Sequence, residues 1–142
     1  MKSVKDIMST DVVFCSKEDS LYDAAVKMKE RNVGVIPLCT EKNELVGVVT
    51  DRDLVLRGYA EKKDSTATIQ EVMSEQLHSI APDTSVQEAS GLMADHQIRR
   101  LPVVDDGKLV GMLSLGDLSL EDMSNDAAGH ALEEISERPE VH

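Results

Sequence analysis

Val4-Lys5-Asp6-Ile7-Met8-Ser9 returns 65 residues further along the chain as Ile69-Gln70-Glu71-Val72-Met73-Ser74. The same offset carries Ser20-Leu21 onto Ser85-Val86, Ala24 onto Ala89, Met28 onto Met93 and Pro37 onto Pro102. One residue is then dropped in a turn. At an offset of 64, Leu45-Val46-Gly47 falls on Leu109-Val110-Gly111, Thr50 on Ser114, and Asp53-Leu54 on Asp117-Leu118. So many matches with one single-residue gap identify a tandem duplication, and a duplication decides the architecture before any local pattern does.

Each copy reads the same way. Leu21, Ala24, Ala25 and Met28 stand at helical spacing, as do Val86, Ala89 and Met93. Ser20-x-x-Asp23 and Ser85-x-x-Glu88 are capping-box starts, of which the Glu version is expected to be the stronger. A short apolar run follows each helix, Val35 to Cys39 and Leu101 to Val104, and then a turn, Glu41 to Glu44 and Asp105-Asp106-Gly107. A second run, Leu45 to Val49 and Leu109 to Leu113, completes a β-hairpin. Pro37 and Pro102 remove a ladder donor and mark an edge or a strand end. Short helices open near Thr50 and Ser114, so the unit is strand, helix, strand, strand, helix.

The boundaries that follow are a first repeat at 1–58, a polar linker at 59–67, a second repeat at 68–123 and an acidic tail at 124–142. One copy of about 55 residues is marginal as an isolated core. The two copies are therefore expected to pack face to face about a pseudo-two-fold axis. In the tail, Leu132 and Ile135 are compatible with one helical face or with a frayed end.

Composition narrows the functional classes. The 142 residues carry 27 acidic and 15 basic side chains, a formal net charge of -12, with no Trp, one Phe and two Tyr. Nucleic acid requires a basic footprint and an anionic membrane repels this surface, so neither is an expected partner. No stretch approaches the ~18 apolar residues of a membrane span, and the N-terminus has no apolar signal core. Cys15 and Cys39 sit in strand-like runs. They read as buried free thiols in a reducing compartment, with a disulfide or metal pair as the alternative, and a cytoplasmic location is expected.

The repeat resembles the CBS domain, named after cystathionine β-synthase, and the tandem resembles a Bateman module. The residues that carry the likeness are Asp6-Ile7-Met8-Ser9 with Glu71-Val72-Met73-Ser74, the run Ile98 to Asp105, and Gly47 to Asp53 with Gly111 to Asp117. It covers roughly residues 4 to 120. The resemblance implies an α+β fold in which each repeat has a three-stranded sheet and two helices, with clefts between the repeats. It further implies that the clefts hold adenosine-type ligands such as AMP, ADP, ATP, S-adenosylmethionine or NAD. Modules of this kind pair into homodimers and report the bound state to a partner protein, here unknown; no cofactor is required.

Thr50-x-x-Asp53 and Ser114-x-x-Asp117 are the sharpest candidate sites. A carboxylate can accept hydrogen bonds from both ribose hydroxyls, and the charge strengthens them. The hydroxyl of Thr50 or Ser114 can meet a ribose or phosphate oxygen beside the helix N–H groups. The same spacing also describes an ordinary helix cap with Asp in place of Glu or Gln, and one residue can serve both ends. Arg99 and Arg100 precede Leu101-Pro102, where similar modules place residues that meet phosphate; a solvated or ion-paired strand end is the alternative. The first repeat has Gly34 and Val35 at these places, so the two sites are expected to differ. Arg52 reaches a phosphate or bonds Asp51 or Asp53.

For the adenine slot, Thr10, Val12, Ile36 and Val49 are candidates in the first repeat, and Leu77, Leu101 and Leu113 in the second, with core packing as the competing role. His78 and His96 look isolated, and the matched Met8, Met28, Met73 and Met93 read as core. The chain carries no Gly-x-Gly-x-x-Gly, Walker loop, His-Glu-x-x-His or Gly-x-Ser-x-Gly, so catalysis is not expected. The two functional classes that remain are a ligand-sensing module and a CBS scaffold whose clefts stay empty and which acts only by protein–protein interaction.

Overall fold

The structure is a computed structural model that describes residues 2–75 and 78–121. Leu77 and the acidic tail, with Leu132 and Ile135, lie outside the described residues. The fold is α+β. A 3-10 turn (Val4–Asp6) leads to α1 (Leu21–Arg31), the hairpin β1 (Val35–Cys39) and β2 (Leu45–Thr50), and α2 (Asp51–Asp53), which runs on as a π-helical turn (Leu54–Tyr59). The order then repeats: a 3-10 turn (Ile69–Glu71), α3 (Val86–His96), β3 (Arg100–Asp105), β4 (Lys108–Ser114) and α4 (Leu115–Glu121).

Local chemistry explains the boundaries. Ser20 accepts from the Asp23 N–H, and the Asp23 carboxylate accepts from the Ser20 N–H, closing the capping box of α1. At α3 the Glu88 N–H donates to Ser85 Oγ, but Glu88 is exposed and no return bond is found, the reverse of the expected ranking. Both long helices end on a left-handed residue, Asn32 at φ 54° and Gln97 at φ 57°. The β3–β4 turn has positive φ at both Asp106 and Gly107, 53° and 80°, which matches the right-handed twist of a tight hairpin and favours Asp-Gly there.

The chain forms two compact units that are cut differently from the sequence repeats. Among the described residues, the first contains those up to Val12, His78–Asp106 and those from Val110 to Glu121; the second contains those from Val13 to Glu75 and Gly107–Leu109. The helix and hairpin of each repeat are thus completed by the opening segment of the other. In the first unit Val4, fully buried, joins Val86, Ala89, Met93 and Leu101 in one core, and the Val4 and Lys5 N–H groups donate to the carbonyls of Thr84 and Pro82. In the second unit Ile69, also fully buried, joins Leu21, Ala24, Ile36 and Val72, and the Ile69 and Gln70 N–H groups donate to Asp19 and Lys17.

In place of a full three-stranded sheet, each unit has a two-stranded hairpin extended by single bridges. Cys15 pairs in parallel with Leu38, and Ile80 with Val103. The Cys15 N–H donates to the Pro37 carbonyl, and the Ile80 N–H to the Pro102 carbonyl. The preceding rung of each ladder would need an N–H from Pro37 or Pro102, which proline lacks, so pairing cannot extend in that direction. On the other side of each hairpin the lead-in segment adds an antiparallel bridge, Ser9 with Met112 and Ser74 with Val48.

Those outer bridges demand glycine. A Cβ on Gly111 would lie 2.9 Å from the Ser9 carbonyl oxygen and 2.5 Å from Met8 Sδ; on Gly47 it would lie 3.0 Å from the Ser74 carbonyl oxygen. By contrast, Gly91 within α3 has nothing within 4 Å of such a Cβ. Overpacking at Gly111→Ala is therefore expected to lower unfolding stability by about 1–3 kcal/mol. Gly91→Ala should raise it by about 0.5–1 kcal/mol through helix propensity. Urea unfolding midpoints of the two variants check this, and shifts of the same sign would contradict it.

Candidate functional site

Thr50 closes β2 and caps α2, while Ser114 closes β4 and caps α4. The Thr50 N–H donates to Asp53 Oδ2 at 3.0 Å, and the Asp53 N–H returns to Thr50 Oγ1 at 3.0 Å. In the second copy the Ser114 N–H donates to Asp117 Oδ2 at 2.9 Å, and the Asp117 N–H returns to Ser114 Oγ at 3.1 Å. Both motifs are thus reciprocal caps. They hold each half-buried carboxylate by one oxygen, and no described group bonds the other, Oδ1. The backbone N–H groups at these helix starts are largely spent. Asp51 N–H donates to the Gly34 carbonyl, Leu115 N–H to the Arg99 carbonyl, and Arg52 N–H to Asp51 Oδ1. Recognition of an anion here therefore falls to side chains.

The first unit brings Arg99, Ser114 and Asp117 together. The 2.8 Å bond from Leu115 N–H to the Arg99 carbonyl ties Arg99 to the residue that follows Ser114. Arg99 and Arg100 are exposed, and neither guanidinium has a hydrogen bond or ion pair to a described residue. Thr10 and Val12 also belong to this unit, beside β4, because Ser9 exchanges two 2.9 Å backbone bonds with Met112. Thr10 is exposed and Val12 half-buried.

The second unit holds Ile36, Thr50, Arg52 and Asp53. Arg52 is exposed, whereas Ile36 is fully buried within the core. Val49, Leu101 and Leu113, the other apolar candidates for the adenine slot, are fully buried too. Gly34, which corresponds to Arg99, lies under the Asp51 carboxylate: a Cβ there would sit 3.1 Å from Asp51 Oδ2.

Two features escaped the sequence pattern. Arg57, on the π-helical turn, donates through Nη1 to the carbonyls of Val72 and Met73 at 3.1 Å each, fixing the second lead-in segment. Its counterpart by the repeat offset is Glu121, which has no donor to offer, so comparing the copies could have found it. His78 and His96, distant in sequence, stack with ring centroids 4.0 Å apart. Among the described residues no group of three or more His, Cys, Asp or Glu side chains is placed to hold a metal ion. Nor is any described helix long and apolar enough to cross a membrane.

The cysteines are free thiols and both are buried. Cys15 pairs with Leu38 and joins the same core cluster, whereas Cys39 follows at a register irregularity of β1. The Cys39 N–H donates to the Cys15 carbonyl, yet the two thiols are not joined. Burial raises both, Cys39 from the ordinary 9.0 to about 11. The folded chain should therefore react with a disulfide reagent at neutral pH only at the rate of unfolding. Because the Cys39 thiol is held protonated in the folded state, its contribution to stability is present below about pH 9 and is lost as pH rises towards about 11. Cys39→Ala should flatten that part of a stability-versus-pH curve; an unchanged slope would contradict the assignment.

Duplicated helix–hairpin units, each ending in a capped Ser/Thr-x-x-Asp, define the class. The chain matches the CBS domain family at residues 4–58 and 69–123. It belongs to that family, as a tandem CBS pair. It is 51% identical over 138 residues to the uncharacterized protein YlbB of Bacillus subtilis (strain 168), covering 96% of this chain and 93% of that one. Two solved structures are also similar. CBSX2 in complex with AMP has a TM-score of 0.77 and 29% identity, covering 85% of this chain and 96% of that one. The CBS domain pair of protein MJ0100, in complex with 5′-methylthioadenosine and S-adenosyl-L-methionine, has a TM-score of 0.75 and 27% identity, covering 85% and 95%.

Proposed function

We propose that the chain is a non-catalytic regulatory module that binds an adenosine nucleotide, chiefly through the first unit. One observation carries this: Asp117 is locked by the Ser114 N–H through Oδ2 and leaves Oδ1 open, while the Arg99 carbonyl is tied to Leu115, the residue after Ser114, and the Arg99 guanidinium has no described partner. A carboxylate held by one oxygen is preorganised to accept ribose hydroxyls through the other, which lowers the ordering cost of binding. The guanidinium of Arg99 then offers two parallel donors to phosphate, with Arg100 adjacent in the chain. Thr10, from the exchanged lead-in segment, adds an exposed hydroxyl to the same unit. The AMP complex of CBSX2 and the adenosine-type ligands of MJ0100 support the ligand class.

Regulation follows if the ligand binds one arrangement of the module better than another, because it can shift that equilibrium only by its differential affinity. The rearranged surface is read by a second copy in a homodimer or by a partner protein. A second reading, a scaffold with no ligand, is favoured by the complete burial of Ile36, Val49, Leu101 and Leu113, which leaves those side chains in the core.

Thermal-shift and calorimetric titration with AMP, ADP, ATP, NAD and S-adenosylmethionine separates the two. At a hundredfold excess over Kd, binding stabilises the fold by about 2.7 kcal/mol. A charged hydrogen bond is worth about 1.5–3 kcal/mol. Arg99→Ala and Asp117→Asn are thus each expected to weaken binding roughly tenfold or more. No response to any of the five ligands would support the scaffold.

A further inference from the structure

We propose that the two Ser/Thr-x-x-Asp boxes are divided by charge. The first unit takes a phosphorylated adenosine, and the second takes an adenosine with no phosphate, neutral or cationic at the 5′ substituent. This rests on reading both boxes as ribose receptors. The boxes themselves are equivalent: each has reciprocal bonds near 3 Å and a carboxylate with Oδ1 unbonded by any described group. What differs is the residue pair beside each box, at matched positions joined by the same backbone bond. In the first unit the pair is Leu115 and Arg99; in the second it is Asp51 and Gly34. Leu115 is buried and apolar, so Arg99 is the charge presented there.

In the second unit the charge is inverted. Asp51 lies over Gly34, with Oδ2 3.1 Å and Cγ 3.4 Å from where a Cβ of residue 34 would be. Its Oδ1 accepts the Arg52 N–H at 2.8 Å, so the carboxylate is held in place. A side chain at residue 34 would meet that carboxylate, so glycine here keeps room for Asp51. Arg52 stands between Asp51 and Asp53 in the sequence, which leaves the group with one excess negative charge. A phosphate brought to this box meets a fixed carboxylate, whereas the matched position of the other box carries Arg99. The ribose receptor survives with its phosphate receptor reversed. A 5′ thioether avoids the repulsion, and a 5′ sulfonium gains attraction.

The test is calorimetric titration of the full chain with AMP, 5′-methylthioadenosine and S-adenosylmethionine, on wild type and three variants. Asp53→Asn and Asp117→Asn keep an oxygen that can accept the capping N–H, and Asp51→Asn keeps one for Arg52. AMP should lose more affinity with Asp117→Asn than with Asp53→Asn, at least tenfold for the former. The two phosphate-free ligands should show the opposite order. Asp51→Asn should lower S-adenosylmethionine affinity and raise the AMP stoichiometry from one towards two. If all three ligands depend on the same aspartate, or Asp51→Asn leaves the preference between AMP and S-adenosylmethionine unchanged, the charge division is wrong while nucleotide binding stands. If no ligand binds any form, the ribose-receptor assignment fails, and the division with it.

Discussion

A mixed α+β repeat of about 55 residues is marginal as an isolated core, because the fraction of surface buried on folding falls as a chain shortens. The chain meets that limit with two 3-10 turns. Val4 and Ile69, both fully buried, carry the start of each copy into the core built around the other copy's helix. Everything downstream depends on this exchange. The turn of Val4–Asp6 leads to Ser9, whose pairing with Met112 sets Thr10 beside β4. The turn of Ile69–Glu71 leads to the two carbonyls held by Arg57 and to Ser74, paired with Val48. The close approach is possible because Gly47 and Gly111 offer no side chain where the lead-in crosses.

The duplication, both long helices and both hairpins were legible in the sequence because each has a local signal: 3.6-residue periodicity, a capping serine, or a short apolar run ended by turn residues. The exchange of lead-in segments was not, since the residues that pair, Val4 with Thr84 or Ile69 with Asp19, carry no pairing code beyond being apolar or preceding a helix. The shortened third strand was half legible. Pro37 and Pro102 announced a missing donor, but which neighbour would lose its rung depends on the side the proline nitrogen faces, and that is tertiary. Asp117 is a candidate from its Ser114-x-x-Asp117 spacing, and Arg99 from the resemblance to CBS modules. Their backbone link through Leu115 required the fold, as did the stacking of His78 on His96.

The two roles weighed for Ser/Thr-x-x-Asp need not compete. A capping carboxylate uses one oxygen to satisfy an N–H that helix geometry leaves open, and removing such a cap costs about 1 kcal/mol. That same bond fixes the direction of the second oxygen. On the proposed function, a ligand would meet an acceptor whose conformational entropy is already spent, and the cap would be part of the site. The helix dipole has little left to add, because the first N–H groups of both helices are mostly occupied by Gly34, Arg99, Asp51 and the caps themselves. Discrimination among ligands is thereby left to side chains that flank the box.

The net charge of -12 bears on this in a particular way. Charges separated by more than about 8 Å in water are largely screened at physiological ionic strength. The chain's overall acidity mainly slows the approach of an anion and says little about how it is held. That long-range field acts on a ligand approaching either box, so it cannot make one box prefer phosphate over the other. Only short-range groups can do so, and the matched flanking positions carry Arg99 in one unit and Asp51 over Gly34 in the other. The duplicated fold has kept the reciprocally capped Ser/Thr-x-x-Asp box twice while changing the charge at the flanking positions. Under the proposed charge division, selectivity between two otherwise equal boxes reduces to the sign carried by a single flanking side chain.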